Sequence, residues 1–168
     1  TIAASPMLSD GRMILGAFDG YVRAYAQDTG AELWKFATND HVYASPGALS
    51  DGTIIQPSTD GTVYALDPKT GALRWQFDTR EPIRSSPAID ADDNIYFGGG
   101  DGRLYVLNRN GTLRFSRQLI KSDRNDFGGS PALGKDLIVI AGESGEIFAT
   151  PYDYCLRADA AGDADCDV

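Results

Sequence analysis

The chain of 168 residues carries 24 acidic against 15 basic side chains, a formal net charge of −9. That charge repels phosphate backbones and anionic lipid, so nucleic acid and a bilayer surface are set aside as partners in favour of proteins and neutral or cationic ligands. The length suffices for one globular domain with a sizeable core, and no apolar run approaches the ~20 residues of a membrane-spanning helix. The sequence opens at Thr1 without an initiator Met, a basic segment or a hydrophobic leader, so the expectation is a processed form or a piece of a longer chain.

The organising signal is a repeat of about 41 residues. Ser5-Pro6, Ser45-Pro46, Ser86-Pro87 and Ser130-Pro131 follow one another at steps of 40, 41 and 44. Asp19-Gly20, Asp60-Gly61, Asp101-Gly102 and Ser144-Gly145 keep the same phase, and residues 19–38 match 60–79 at ten of twenty positions. In chain order, each repeat reads as a short inner segment begun by Ser-Pro, two strands joined at Asp-Gly, and an outer strand. The second strands are Met13–Leu15, Thr53–Ile55, Asn94–Phe97 and Leu137–Ile140, β-branched or aromatic and too short for helices. Asp-Gly then supplies a hairpin turn, which needs positive φ; glycine accepts it and aspartate tolerates it.

The third strands are apolar on both alternating faces: Val63 and Ala65 with Tyr64 and Leu66, Leu104 and Val106 with Tyr105 and Leu107, Ile147 and Ala149 with Phe148. A strand of that kind is covered on both sides. The outer strands are Glu32–Phe36, Leu73–Phe77 and Leu113–Phe115; the fourth repeat shows none. Four antiparallel strands in about 41 residues, buried by neighbouring copies, make the blade of a β-propeller. The fold class is therefore all-β, with blades at about 1–40, 41–81, 82–125 and 126–152, followed by an acidic, Cys-containing tail over 153–168.

Ala65, Asp67, Thr70, Gly71 and Trp75 together resemble the tryptophan-docking motif of the pyrroloquinoline-quinone (PQQ) repeat propellers. Ala24, Thr29, Gly30 and Trp34 match it with Ala26 in place of the Asp, and Phe115 stands for the Trp in the third copy. The resemblance implies that these residues lock one blade to the next. It also implies rings of seven or eight blades, so four leave an open arc with two apolar end faces. The expectation is half of a larger propeller, completed by upstream blades or by a second copy making eight.

Function is less specified, because the same propeller serves quinone-dependent dehydrogenases and non-catalytic proteins alike. A PQQ enzyme is expected to bind calcium with the quinone and in many members to carry vicinal cysteines; here Cys155 and Cys166 stand eleven apart, and no nucleophile motif or second histidine accompanies His41. The reading is a non-catalytic, cofactor-free scaffold for a protein or small ligand. The propeller of an alcohol or sugar dehydrogenase and a sensor ectodomain are the alternatives. Ligands are expected over the axis, where variable loops precede each Ser-Pro, which nominates His41, Tyr43, Glu81, Arg84 and Asp126. Asp90, Asp92 and their neighbours offer calcium-like spacing but align with ordinary turns in the other repeats. Asp159, Asp163 and Asp165 around Cys166 have a similar weak appeal, against a solvated, partly mobile end. If Cys155 and Cys166 pair, the compartment is oxidising, in keeping with the periplasmic or cell-surface habit of the resembled family.

Overall fold

Proline after serine holds the chain extended and withholds one backbone donor, and in every repeat the inner strand starts at the residue that follows it. A computed structural model describes residues 1–121, 126–157 and 161–168. Blade one comprises β1 (Met7–Ser9), β2 (Arg12–Gly16), β3 (Tyr21–Ala26) and β4 (Glu32–Ala37). Blade two comprises β5 (Gly47–Ala48), β6 (Ile54–Pro57), β7 (Thr62–Leu66) and β8 (Leu73–Asp78). Blade three has β9 (Ala88–Ile89), β10 (Ile95–Gly98), β11 (Arg103–Leu107) and β12 (Leu113–Gln118), and blade four has β13 (Ala132–Leu133), β14 (Leu137–Ala141) and β15 (Ile147–Pro151). Each sheet is antiparallel in chain order, inner to outer, as the repeat requires.

The hairpin turns differ from the expected pattern in one respect. Gly20, Gly61, Gly102 and Gly145 take positive φ, but Asp19, Asp60 and Asp101 do not. Their carboxylates instead accept the backbone N–H two residues on, at 3.3, 2.9 and 3.1 Å. Asp60 and Asp101 also accept the hydroxyls of Tyr64 and Tyr105, four residues on, at 2.7 and 2.6 Å. Asp19 pairs with Arg23 at that position, at 2.6 Å.

Blades stack face to face. Ile14, Val22, Ala24 and Trp34 of blade one pack on Ile54, Tyr64 and Leu66 of blade two. Ile55, Val63 and Ala65 then meet Ile95, Phe97, Tyr105 and Leu107 of blade three. Trp34 reaches over the neighbouring turn: its indole N–H donates to Pro68 O at 3.0 Å, and a Cβ on Gly71 would lie 2.6 Å from its ring. The Trp75 ring lies in the same way against Gly111 of blade three.

Polar links run between blades as well. The Ser5 N–H donates to Ser45 Oγ, the Ser45 N–H to Ser86 Oγ and the Ser86 N–H to Ser130 Oγ, at 2.9 to 3.0 Å. The repeated serine is thus a circumferential chain near the axis. At the opposite end of the blades Asp90 accepts four donors, the amides of Asp92 and Asn94, the Asn94 side chain and the Tyr96 hydroxyl. Asp93 of the same turn is buried and accepts both the N–H and the hydroxyl of Ser50 in blade two.

Two expectations need correction. The tail is no loose end: β16 (Cys166–Asp167) pairs with β12 as a fifth strand on blade three, and Cys155 is disulfide-bonded to Cys166. Opposite charge explains the docking, since Asp167 pairs with Arg103 at 2.6 Å and Asp165 with Lys121 at 2.8 Å. The second correction concerns β15. Ile147 is 74% exposed and Ala149 is exposed, because among the described residues no blade packs against that face.

Candidate functional site

Four loops gather at the axial end, each preceding a Ser-Pro pair and each tied to the hairpin turn of its own blade. The Thr59 N–H donates to His41 O, Gly100 to Pro82 O and Glu143 to Asp126 O. Within the loops one apolar residue plugs the blade interface: Val42, Ile83 and Phe127 are all buried. Side chains flanking a plug point the other way, and this puts His41, Tyr43 and Arg84 on the surface.

They form two groups. In the first, the Phe18 ring lies 4.2 Å from that of Tyr43 and 5.5 Å from that of His41. Asp40 Oδ1 stands 2.5 Å from His41 Nδ1, and this hydrogen bond holds the Asp40 carboxyl below the usual carboxylate range. Phe18, Asp40 and His41 line an open cleft of about 210 Å³ with Asp19, Thr38 and Asn39. In the second group, Arg84 Nη1 meets Asp126 Oδ2 at 2.7 Å. Glu143 lies beside this pair, and its hydrogen bond with the Asp126 carboxylate raises its pKa. Glu81 is exposed and joins neither group among the described residues; its carbonyl accepts Thr79 Oγ1.

Phe18 and Glu143 escaped the sequence reading. The signal for Phe18 was present as an aromatic side chain in the hairpin turn of blade one, where the other copies have Thr59, Gly100 and Glu143. Among the acidic residues, Asp163 accepts the Tyr154 hydroxyl and the Asp165 N–H, and Asp165 faces Lys121. Asp92 is exposed beside the saturated Asp90, and Asp159 lies outside the described residues. Asp90 already spends both carboxylate oxygens on protein donors, while Asp40 Oδ1 and Asp126 Oδ2 are engaged by His41 and Arg84. The axial end combines surface rings with paired charges.

A family profile described as outer membrane protein assembly factor BamB matches residues 18–152. The chain resembles the crystal structure of BamB from Moraxella catarrhalis at 24% identity with a TM-score of 0.76, over 90% of this chain and 50% of that one. It also resembles the computationally designed Ika4 protein at 19% identity with a TM-score of 0.74, over 90% of this chain and 91% of that one. No curated protein matches it. The chain spans about half the length of the BamB structure, and the likeness is one of fold: a PQQ-like β-propeller.

Proposed function

The chain belongs to the family of the outer membrane protein assembly factor BamB, and from that membership we propose that it is a non-enzymatic, cofactor-free extracytoplasmic scaffold whose axial end docks a protein partner. The observation that carries this is the surface trio Phe18, His41 and Tyr43. Rings that could turn inward are held outward, Tyr43 at 39% exposure, by the burial of Val42 between them. Exposed aromatic clusters of this kind anchor protein contacts because they bury large areas at little cost in side-chain entropy. Arg84, Asp126 and Glu143 supply a charged rim to the same end. The Cys155–Cys166 disulfide supports an oxidising compartment. In the same reading Trp34 and Trp75 serve the scaffold alone, as blade-docking residues.

A photo-crosslinking residue tests it, placed at Tyr43 or, as a control, at Lys69 in the turn at the far end of blade two. In cells exporting the chain, the Tyr43 position should yield a discrete protein adduct that is lost with Phe18→Ala, and Lys69 should yield none. Equal adducts from both positions, or none from Tyr43, would remove the reading. So would the growth of a bound quinone absorbance on adding PQQ and calcium.

A further inference from the structure

An arginine at the head of the outer strand has different company in blades two and three. Arg74 is saturated within its own blade, donating to Asp67 Oδ2 at 2.8 Å, to Asp51 Oδ2 at 3.2 Å and to Thr53 Oγ1. Arg114 holds the equivalent place at the same strand irregularity, one residue before Phe115 as Arg74 is before Trp75. Two of its acceptors have been withdrawn. Asn108 stands for Asp67 and turns its amide to Thr112 Oγ1 at 2.9 Å, while Asn94 stands for Thr53 and donates to Asp90 Oδ2 at 2.8 Å. Among the described residues neither Arg114 nor Lys135 of blade four has an ion-pair partner, and the two line one open cleft of about 320 Å³. The cleft lies in the third seam, where Phe115 replaces the indole, at the end of the blades that carries the Asp90 turn and not the axial loops.

The rest of the wall narrows what can enter. Tyr152 is a half-buried ring fixed at both ends: its hydroxyl donates to Gly134 O, and its ring packs edge-on with Tyr96 at 5.7 Å between centroids. Asp92 has no donor on its carboxylate among the described residues, and Asp153 gives Oδ1 to Arg157 at 2.8 Å. Two cations and two carboxylates thus share one opening with a rigid aromatic ring. A simple cation meets Arg114 and Lys135. A simple anion is opposed by Asp92 and Asp153, and the field at the ring is negative, since burial and then the charges of Asp90 and Asp136 raise the Tyr152 pKa. We propose that the cleft binds a neutral saccharide, whose hydroxyls bridge Arg114 and Lys135 to Asp92 and Asp153 across the Tyr152 ring. A hydroxyl donates and accepts at once, so neighbouring hydroxyls on one sugar ring satisfy cations and carboxylates together without adding charge. The C–H face of a pyranose is apolar and suits an aromatic surface with a polar rim. The volume falls within the ~300–1,000 Å³ of small-molecule clefts.

The inference is independent of what the axial loops bind, and its test reads the far end of the blades. Heteronuclear NMR of the 168-residue chain is followed while free glucose, galactose, mannose and N-acetylglucosamine are titrated in separately. At least one of them should shift the amides of Arg114, Lys135 and Tyr152 saturably while the Tyr43 amide stays in place. Arg114→Ala and Lys135→Ala, at side chains without ion-pair partners, should each weaken that binding at least about tenfold through the lost charge-assisted hydrogen bond. Arg109→Ala, in the preceding seam, should leave it unchanged, and so should Phe18→Ala at the axial end. No saturable shift from any of the four sugars, shifts confined to another part of the chain, binding indifferent to both alanine substitutions in the cleft, or tighter binding of acetate or methylammonium at the same amides would each overturn the assignment.

Discussion

Gly71 and Gly30 hold the same place in successive turns and share a left-handed backbone, at φ +69 and +71, but only Gly71 lies under an indole. Nothing lies within 4 Å of a Cβ placed on Gly30, and one on Gly71 would press into Trp34. The pair therefore separates two costs. Gly30→Ala should cost about 1 kcal/mol, for a side chain in the left-handed region. Gly71→Ala should cost that and about 1–3 kcal/mol more, for overpacking against a ring that its own hydrogen bond to Pro68 keeps from retreating. Urea midpoints of the two variants measure the difference, and equal losses would mean that the Trp34 contact contributes nothing to holding the blades. The left-handed Asp93, at φ 63, makes the complementary point. A residue other than glycine tolerates that backbone here because its carboxylate is bound by both donors of Ser50.

The hairpins and the tail each tie a strand by a device with a measurable titration or redox signature. Burial raises the pKa of Tyr64 to about 12, and its hydrogen bond to Asp60 adds to the effect; Tyr96 and Tyr105 are raised further, by burial and then by Asp90 and Asp101. An unfolded tyrosine ionises near 10. Below that pH both states keep the proton and the stabilisation is complete. Above it the unfolded chain loses protons that the folded chain retains, so stability falls as pH rises from about 10 towards 12. Urea midpoints across that range should drop, and the drop should flatten in a chain carrying Tyr64→Phe, Tyr96→Phe and Tyr105→Phe. An unchanged slope in that chain would assign the loss to other groups. In the tail, the disulfide closes a loop over a separation of 11 residues and keeps β16 on β12. Cys166→Ser should cost about 2–3 kcal/mol by the loop-entropy relation. It should also free the Gln118 amide, which donates to Asp165 O at 2.7 Å. Hydrogen exchange reads that amide directly, and protection surviving the substitution would show that the Lys121 and Arg103 pairs hold the tail without the covalent link.

At the scale of the whole molecule, what the sequence reveals and what it hides divide along the distance over which the cause acts. Strand order, the four blades and the lack, among the described residues, of an outer strand in blade four follow from local period and turn chemistry repeated in phase, and they are legible in a single chain. The purpose of the repeated serine is not, because Ser45 Oγ finds its donor 40 residues away, and the same holds for Ser50 with Asp93 at a separation of 43. The axial grouping is half legible: variable loops nominate His41, Tyr43, Arg84 and Asp126, but Phe18 and Glu143 enter from hairpin turns that only the folded blade brings alongside. The tail's acids look solvated in sequence because their cations, Arg103 and Lys121, lie in another repeat. The end faces follow the same logic at the largest scale: Ile147 is 74% exposed although its counterparts Val22, Val63 and Leu104 are at 0%, because what covers each of those three is a whole further blade rather than anything within its own repeat.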